Sequence, residues 1–364
     1  MFVTTERSQL YSLIKSNLVS VSIVEKLGDL GITTLAELRD SLAFVDRALI
    51  EGYLGPGSIE ALLAAPGKTL AATTRGSGRG DPLAAIRAVP LKRHARGVIL
   101  SAARQHATAK VPTPRPRGRR GAPARSQAAP RPEVSFIEQM PAVRDQGERG
   151  TCVAFSSGAY LEFQLGRQVA GERPRMSLPR RSEQFVYWAC KQKDGFPQDE
   201  GTLVSVAREV LKRQGACRHA KWKYVPEQNP SEGQGPPPEG AEEEAREARW
   251  TGVRMLPAKS VEKLKTALNR GRPVVLSVLT FPGWDFPNVQ LSGEISMPFP
   301  GEASAGGHAV CLVGYLLDSN LPGAGAFLFR NSWGRSFGRQ SLFAAGYGTL
   351  PFEYVTHYGL EAFG

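Results

Sequence analysis

Cysteine is scarce. Four residues, Cys152, Cys190, Cys217 and Cys311, in a chain of 364 cannot staple a scaffold of this size, so a buried hydrophobic core must hold the fold. Reduced thiols are expected, with a single Cys190–Cys217 bridge left open. Cys190, Cys217 and His219 do not have the spacing of a zinc knuckle, and no metal site is expected there. No run of eighteen apolar residues occurs, which excludes a helical membrane span. The opening stretch "MFVTTERSQLYSLIKSNLV" lacks a basic start followed by an apolar block, so no secretory signal is read and a cytoplasmic home is expected. Acidic residues are nearly missing from residues 66–132, which hold 15 Lys and Arg against one Asp. That segment alone exceeds the net charge of +12 carried by the whole chain. The basic character therefore belongs to one stretch and says little about the folded parts.

Three parts follow from composition and periodicity. Residues 1–65 read as a small all-α helical module: "SIVEKLGDLGITTLAELRDSL" places Ile23, Leu27, Leu30, Ile32, Leu35 and Leu38 in a helical rhythm broken at Gly31. Thr33 or Thr34 is a candidate N-cap, with Glu37 completing a capping box. Gly-Pro-Gly then precedes "SIEALLAA", a second apolar helix that Ser58 can cap. Residues 66–132, as in "VPTPRPRGRRGAPARSQAAPRP", are too polar and too rich in Pro and Gly to offset the entropy of ordering, and read as a disordered basic linker. Within it, the island 82–105 could form a helix or dock on a surface. A flexible linker, a tether for anionic partners and a removable pro-segment all fit this stretch. Residues 133–364 show helical patterns near 152–170, 182–192 and 201–214, then β-branched apolar runs in "RPVVLSVLTF", "GGHAVCLVGYLL" and "GAFLFRNSWG". Helices first and strands later predict an α+β fold with segregated halves. The stretch 226–249 reads as a polar surface excursion without a core pattern.

The chemistry gathers in the third part. Cys152 stands where the polar "DQGERG" meets a helix of small and apolar residues, so its thiol sits at the positive end of a helix dipole. That position favours thiolate, the nucleophilic form, but a nearby cation is needed to complete the activation. His308, between flexible glycines and a central strand, is either a packed core residue or a base aimed into a cleft. Asn331, at the end of another strand, can hold one imidazole nitrogen and fix the ring. Each residue alone has an ordinary structural reading; the three together, in this chain order, do not.

Residues 134–364 resemble the papain-like cysteine peptidases of family C1, with the bacterial members most alike. The resemblance rests on "QGERGTCVAFS" (146–156) for the nucleophile motif, "GGHAVCLVGY" (306–315) for the histidine strand and "RNSWG" (330–334) for the asparagine motif. "RSEQFVYWAC" (181–190) and "DEGTLVSVAREVLKRQGAC" (199–217) match the helix and the cleft loop between. It implies a two-lobed fold, a helical lobe beside an antiparallel β-barrel-like lobe, and hydrolysis of polypeptides without metal or organic cofactor. Cys152 would be the nucleophile, His308 its ion-pair partner and Asn331 the residue orienting that histidine. Gln146 would complete the oxyanion hole with the Cys152 N–H. Trp333 would cover the His–Asn bond, and Gly201 and Gly307 would meet the substrate through their backbones. The chain departs from the pattern at Arg149, where many relatives carry a structural cysteine, and at Val153, where an aromatic residue is usual. The familiar helical inhibitory pro-region is not recognisable upstream. Residues 1–65 are similar to helix-hairpin-helix modules, especially the C-terminal domain of the RNA polymerase α subunit, through "LGDLGITTLAEL" (27–38) and "YLGPGSIEALL" (53–63).

Three functions remain in play: a cysteine peptidase; a catalytically silent papain-like binding protein; and a regulator whose residues 1–132 deliver the peptidase to a protein or nucleic-acid target. With a charge of about −3 over residues 1–65, a protein partner suits the module better than nucleic acid, whose phosphates need cations.

Overall fold

The computed structural model describes residues 54–64, 96–99, 132–170, 179–226, 235–299 and 302–364, with positions 23, 27, 38, 47 and 51. In the N-terminal part these isolated positions are helical, and Leu27, Leu38, Leu54, Ile59 and Leu62 are buried. Helix α1 (Ser58–Ala64) begins at Ser58 itself. Gly55 and Gly57, both at positive φ, make the turn before it, so Ser58 is the first helical residue instead of the cap. The candidate caps Thr33 and Thr34 and the supposed disorder of 66–132, apart from 96–99 and 132, lie outside the described residues.

Strand β1 (Val134–Ser135) leads to helix α2 (Cys152–Ala170). Every residue from 152 to 161 is buried, because alanines, serines and Gly158 let neighbours approach on all sides. Helix α3 (Glu183–Lys191) is capped by Ser182, whose Oγ accepts the Phe185 N–H at 3.0 Å. Helix α4 (Val204–Arg213) is amphipathic and buries Val204, Ala207, Val210 and Leu211. These three helices form one lobe. The stretch 226–249 is not wholly a surface excursion: helix α5 (Ala241–Glu247) buries Ala241 and Ala245. A stripe of two alanines is too thin to register as a hydrophobic period.

The second lobe is an antiparallel sheet in the order β2-β7-β3-β4-β5-β6, with β1 beside the far half of β4. Its members are β2 (Met255–Leu256), β3 (Val274–Thr280), β4 (Gly306–Leu317), β5 (Gly325–Arg330), β6 (Tyr347–Pro351) and β7 (Gly359–Phe363). Helices α6 (Val261–Asn269), α7 (Pro287–Ser292) and α8 (Phe352–Tyr358) are interleaved with the strands. The α+β papain-like fold is thus present, with helices also inside the sheet half. Strands β3 and β5 are buried at every residue, so they read as continuous apolar runs without alternation. Helix α2 packs on β3 and β4, and Tyr160 meets Phe363 edge-on at 5.2 Å. That packing brings the start of α2 to the glycine-rich start of β4.

Candidate active site

Cys152 is the first residue of α2 and is fully buried. The Ala309 N–H, next in the chain after His308, points to its sulfur at 3.4 Å. One helical turn on, Ser156 donates to the Ala309 carbonyl at 3.0 Å. Two side chains of α2 thus clamp both backbone groups of one β4 residue, and this fixes the histidine strand against the thiol.

His308 is buried, and its Nε2 pairs with Asn331 Oδ1 at 2.8 Å. The same Oδ1 accepts the Ser332 N–H at 2.8 Å. The oxygen is therefore an acceptor, Nε2 carries the hydrogen, and Nδ1 is the basic nitrogen. Trp333 lies over the ring at 4.7 Å between centroids and Trp284 meets it edge-on at 5.7 Å. Both indoles keep water from the His–Asn bond.

Gln146 is held on every side. Its Nε2 donates to the Arg149 carbonyl at 2.8 Å, its Oε1 accepts from Ser332 Oγ at 2.6 Å, and its carbonyl accepts from Tyr224 Oη at 2.6 Å. Arg149, where relatives carry a structural cysteine, is buried and donates to Gln184 at 2.8 Å and to the Val225 carbonyl at 2.9 Å. Its guanidinium also lies 4.6 Å from the Tyr224 ring centroid. A buried cation thus ties the loop before α2 to α3 and to the Tyr224–Val225 stretch. All four cysteines are buried and unbonded, so the open Cys190–Cys217 bridge is not formed.

The cleft is occupied by the chain itself. Residues 96–99 lie extended between the lobes, docked and not helical, with Val98 paired in parallel with Thr202. Thr202 donates to the Gly97 carbonyl at 2.9 Å and accepts from Ile99 at 3.2 Å; the Val98 N–H reaches the Gly307 carbonyl at 3.2 Å. Gly307 thus meets an extended segment of its own chain through its carbonyl. At Gly201 the bonds are made by the next residue: a Cβ on Gly201 would lie 2.4 Å from the Gly97 oxygen, so the glycine gives room while Thr202 pairs.

Burial pushes the Cys152 thiol up to about 11, against the N–H groups of Ala309, Gly97, Val153 and Cys152 itself, which favour thiolate. At this thiol burial outweighs the N–H groups of the helix start. Sequence reasoning also missed Ser332 and Tyr224, and for 82–105 it offered docking on a surface without placing it in the cleft. Ser332 was visible inside "RNSWG"; the docked residues 96–99 were hidden in a stretch whose composition masks them.

Residues 134–352 match the papain family of cysteine proteases; the chain belongs to that family and is a cysteine peptidase. It is similar to an uncharacterized peptidase C1-like protein of Acanthamoeba polyphaga mimivirus, 26% identical over 226 residues, or 60% of this chain and 67% of that one. Cysteine proteinase 2 of Entamoeba histolytica is 24% identical over 201 residues, or 54% and 56% of the two chains. Among solved structures, Xylellain, a cysteine protease from Xylella fastidiosa, shares the fold with a TM-score of 0.53 and 24% identity, covering 65% of this chain and 85% of its own. These relatives come from a virus, an amoeba and a bacterium, not from bacteria alone.

Proposed function

We propose that Cys152, His308, Asn331 and Gln146 carry peptide-bond hydrolysis, and that residues 96–99 hold the enzyme closed at rest. The observation carrying the first part is the Ala309–Cys152 contact beside the His308–Asn331 bond. It supports transfer of the thiol proton to His308 Nδ1 and attack of the thiolate on a substrate carbonyl. The oxyanion is received by Gln146 Nε2 and the Cys152 N–H. His308 then gives its proton to the departing amine, leaving a thioester. Water, deprotonated by His308, attacks the thioester and releases the acid and the thiol.

Orientation supports the second part. The Gly97 carbonyl accepts from the Thr202 N–H at 2.9 Å. A carbonyl oxygen bonded to the cleft edge is not offered to the Gln146 and Cys152 donors of the oxyanion site. Residues 1–65, 66–132 and 133–364 are read as module, linker and peptidase, the module meeting a protein partner. The four unbonded cysteines support a reducing compartment. Among the described residues no helix is long and apolar enough to cross a membrane. The test is a fluorogenic peptide panel: Cys152→Ala and His308→Ala should each lower kcat/KM at least about a thousandfold. Equal turnover by Cys152→Ala would instead leave a silent papain-like fold.

A further inference from the structure

The cleft-bound segment also makes an ion pair that the catalytic groups do not use. Along residues 96–99, Val98 and Ile99 pair with Thr202, Gly97 covers the thiol, and Arg96 lies beyond it. There its guanidinium meets Asp285 Oδ2 at 2.5 Å, with 15% and 21% of the two side chains exposed. A Cβ on Gly306 would meet the Arg96 Cβ and Cδ at 3.5 and 3.4 Å, so the aliphatic stem lies along the start of β4. Asp285 closes a short turn, Pro282–Asp285, directly after Trp284, which packs on His308. A half-buried carboxylate thus stands on the imidazole side of the thiol, across from the Thr202 edge, and holds a basic side chain.

We infer that Asp285 is a specificity-determining residue that selects arginine or lysine in the leaving half of a polypeptide substrate, one or two residues beyond the scissile bond. The inference rests on the hydrolase reading, because the leaving half is defined by where His308 delivers its proton. That proton goes to the departing nitrogen, so the chain following the nitrogen runs past His308 and Trp284 towards Asp285. The Arg96 side chain is the built-in occupant of the place a substrate cation takes. A half-buried Arg–carboxylate pair is worth about a tenfold preference over a neutral residue, more against an acidic one.

Binding separates the pocket from the chemistry. In the full-length chain carrying Arg96→Ala, Gly97→Val and Cys152→Ala, fluorescence anisotropy compares labelled peptides with Arg or Glu in the leaving half. The Arg peptide is expected to bind at least about tenfold tighter at low salt, the margin shrinking as ionic strength rises. Asp285→Asn should flatten the ratio and Asp285→Lys invert it, an outcome that general loss of structure does not produce. Equal binding, no binding of either peptide, or an unchanged order in Asp285→Lys overturns the inference. Preference for Arg in this assay, with no turnover when Cys152 is restored, keeps the pocket and sinks the hydrolase reading.

Discussion

Glu183 is fully buried yet charged, because two cations converge on it, Arg144 at 2.7 Å and Arg180 at 3.0 Å, with the His219 ring at 3.7 Å. Burial opposes the charge, but His219 and the guanidinium groups of Arg144 and Arg180 hold the carboxyl down to about 2 from an ordinary 4.5. Arg144 also makes two bonds to Glu162, at 2.8 and 2.7 Å, so this cluster anchors the segment that carries Gln146 two residues on. A carboxyl depressed on folding stabilises the protein above its unfolded value, and that stability is lost as pH falls through the folded one. At about 1.4 kcal/mol per pH unit, the charge contributes on the order of 3 kcal/mol at neutral pH. Glu183→Gln should therefore unfold at lower urea at pH 7, and its deficit should shrink between pH 4.5 and about 2. A deficit that stays constant across that window would place the effect in packing instead of charge.

At the scale of elements, the decisive contact is that of residues 96–99 with the two lobes. A Cβ on residue 97 would lie 1.7 Å from the Gly150 oxygen, so no larger residue fits while the segment is seated. Gly97→Val should evict it. Loss of the segment opens one side of the Cys152 thiol to water and so relieves part of the burial that raises it, while the Gly97 N–H it also removes is a lesser influence of opposite sign. Alkylation of Cys152 by iodoacetamide should then accelerate at least about tenfold, move to lower pH and be matched by faster peptide turnover. Rates equal to wild type would show that the segment does not guard the thiol. The same element explains where sequence reading stopped. Helices α2 to α4 and strands β3 to β5 were legible because each has a long buried face, and Cys152, His308, Asn331 and Gln146 because their motifs are local. The cleft-bound segment was not, since its partners Thr202, Gly307 and Asp285 come from three distant places. Arg149 was legible as a departure but not as a brace, because its partners Gln184 and Val225 meet it only in the fold.

For the molecule as a whole, the question is why a peptidase with an arginine-selecting pocket should carry a segment so rich in arginine. Residues 66–132 contain 15 Lys and Arg, and one of them, Arg96, is seated on Asp285. Seated this way the Gly97 carbonyl is held by Thr202 and is not offered to the thiol, so the closed enzyme should leave its own linker intact. Once the cleft is cleared, the same linker offers basic residues to Asp285 in the productive direction, either to its own cleft or to that of a second copy. Intact-mass spectrometry should find freshly purified wild type uncut within 66–132, as in Cys152→Ala. Gly97→Val should yield fragments cut one or two residues before linker basic residues, and Gly97→Val with Cys152→Ala should yield none. A rate that rises with protein concentration assigns the cut to a second copy, and a constant rate assigns it to the same chain. Fragments in wild type that are missing from Cys152→Ala would mean that residues 96–99 are a substrate caught in place, and the closed resting state would have to be abandoned.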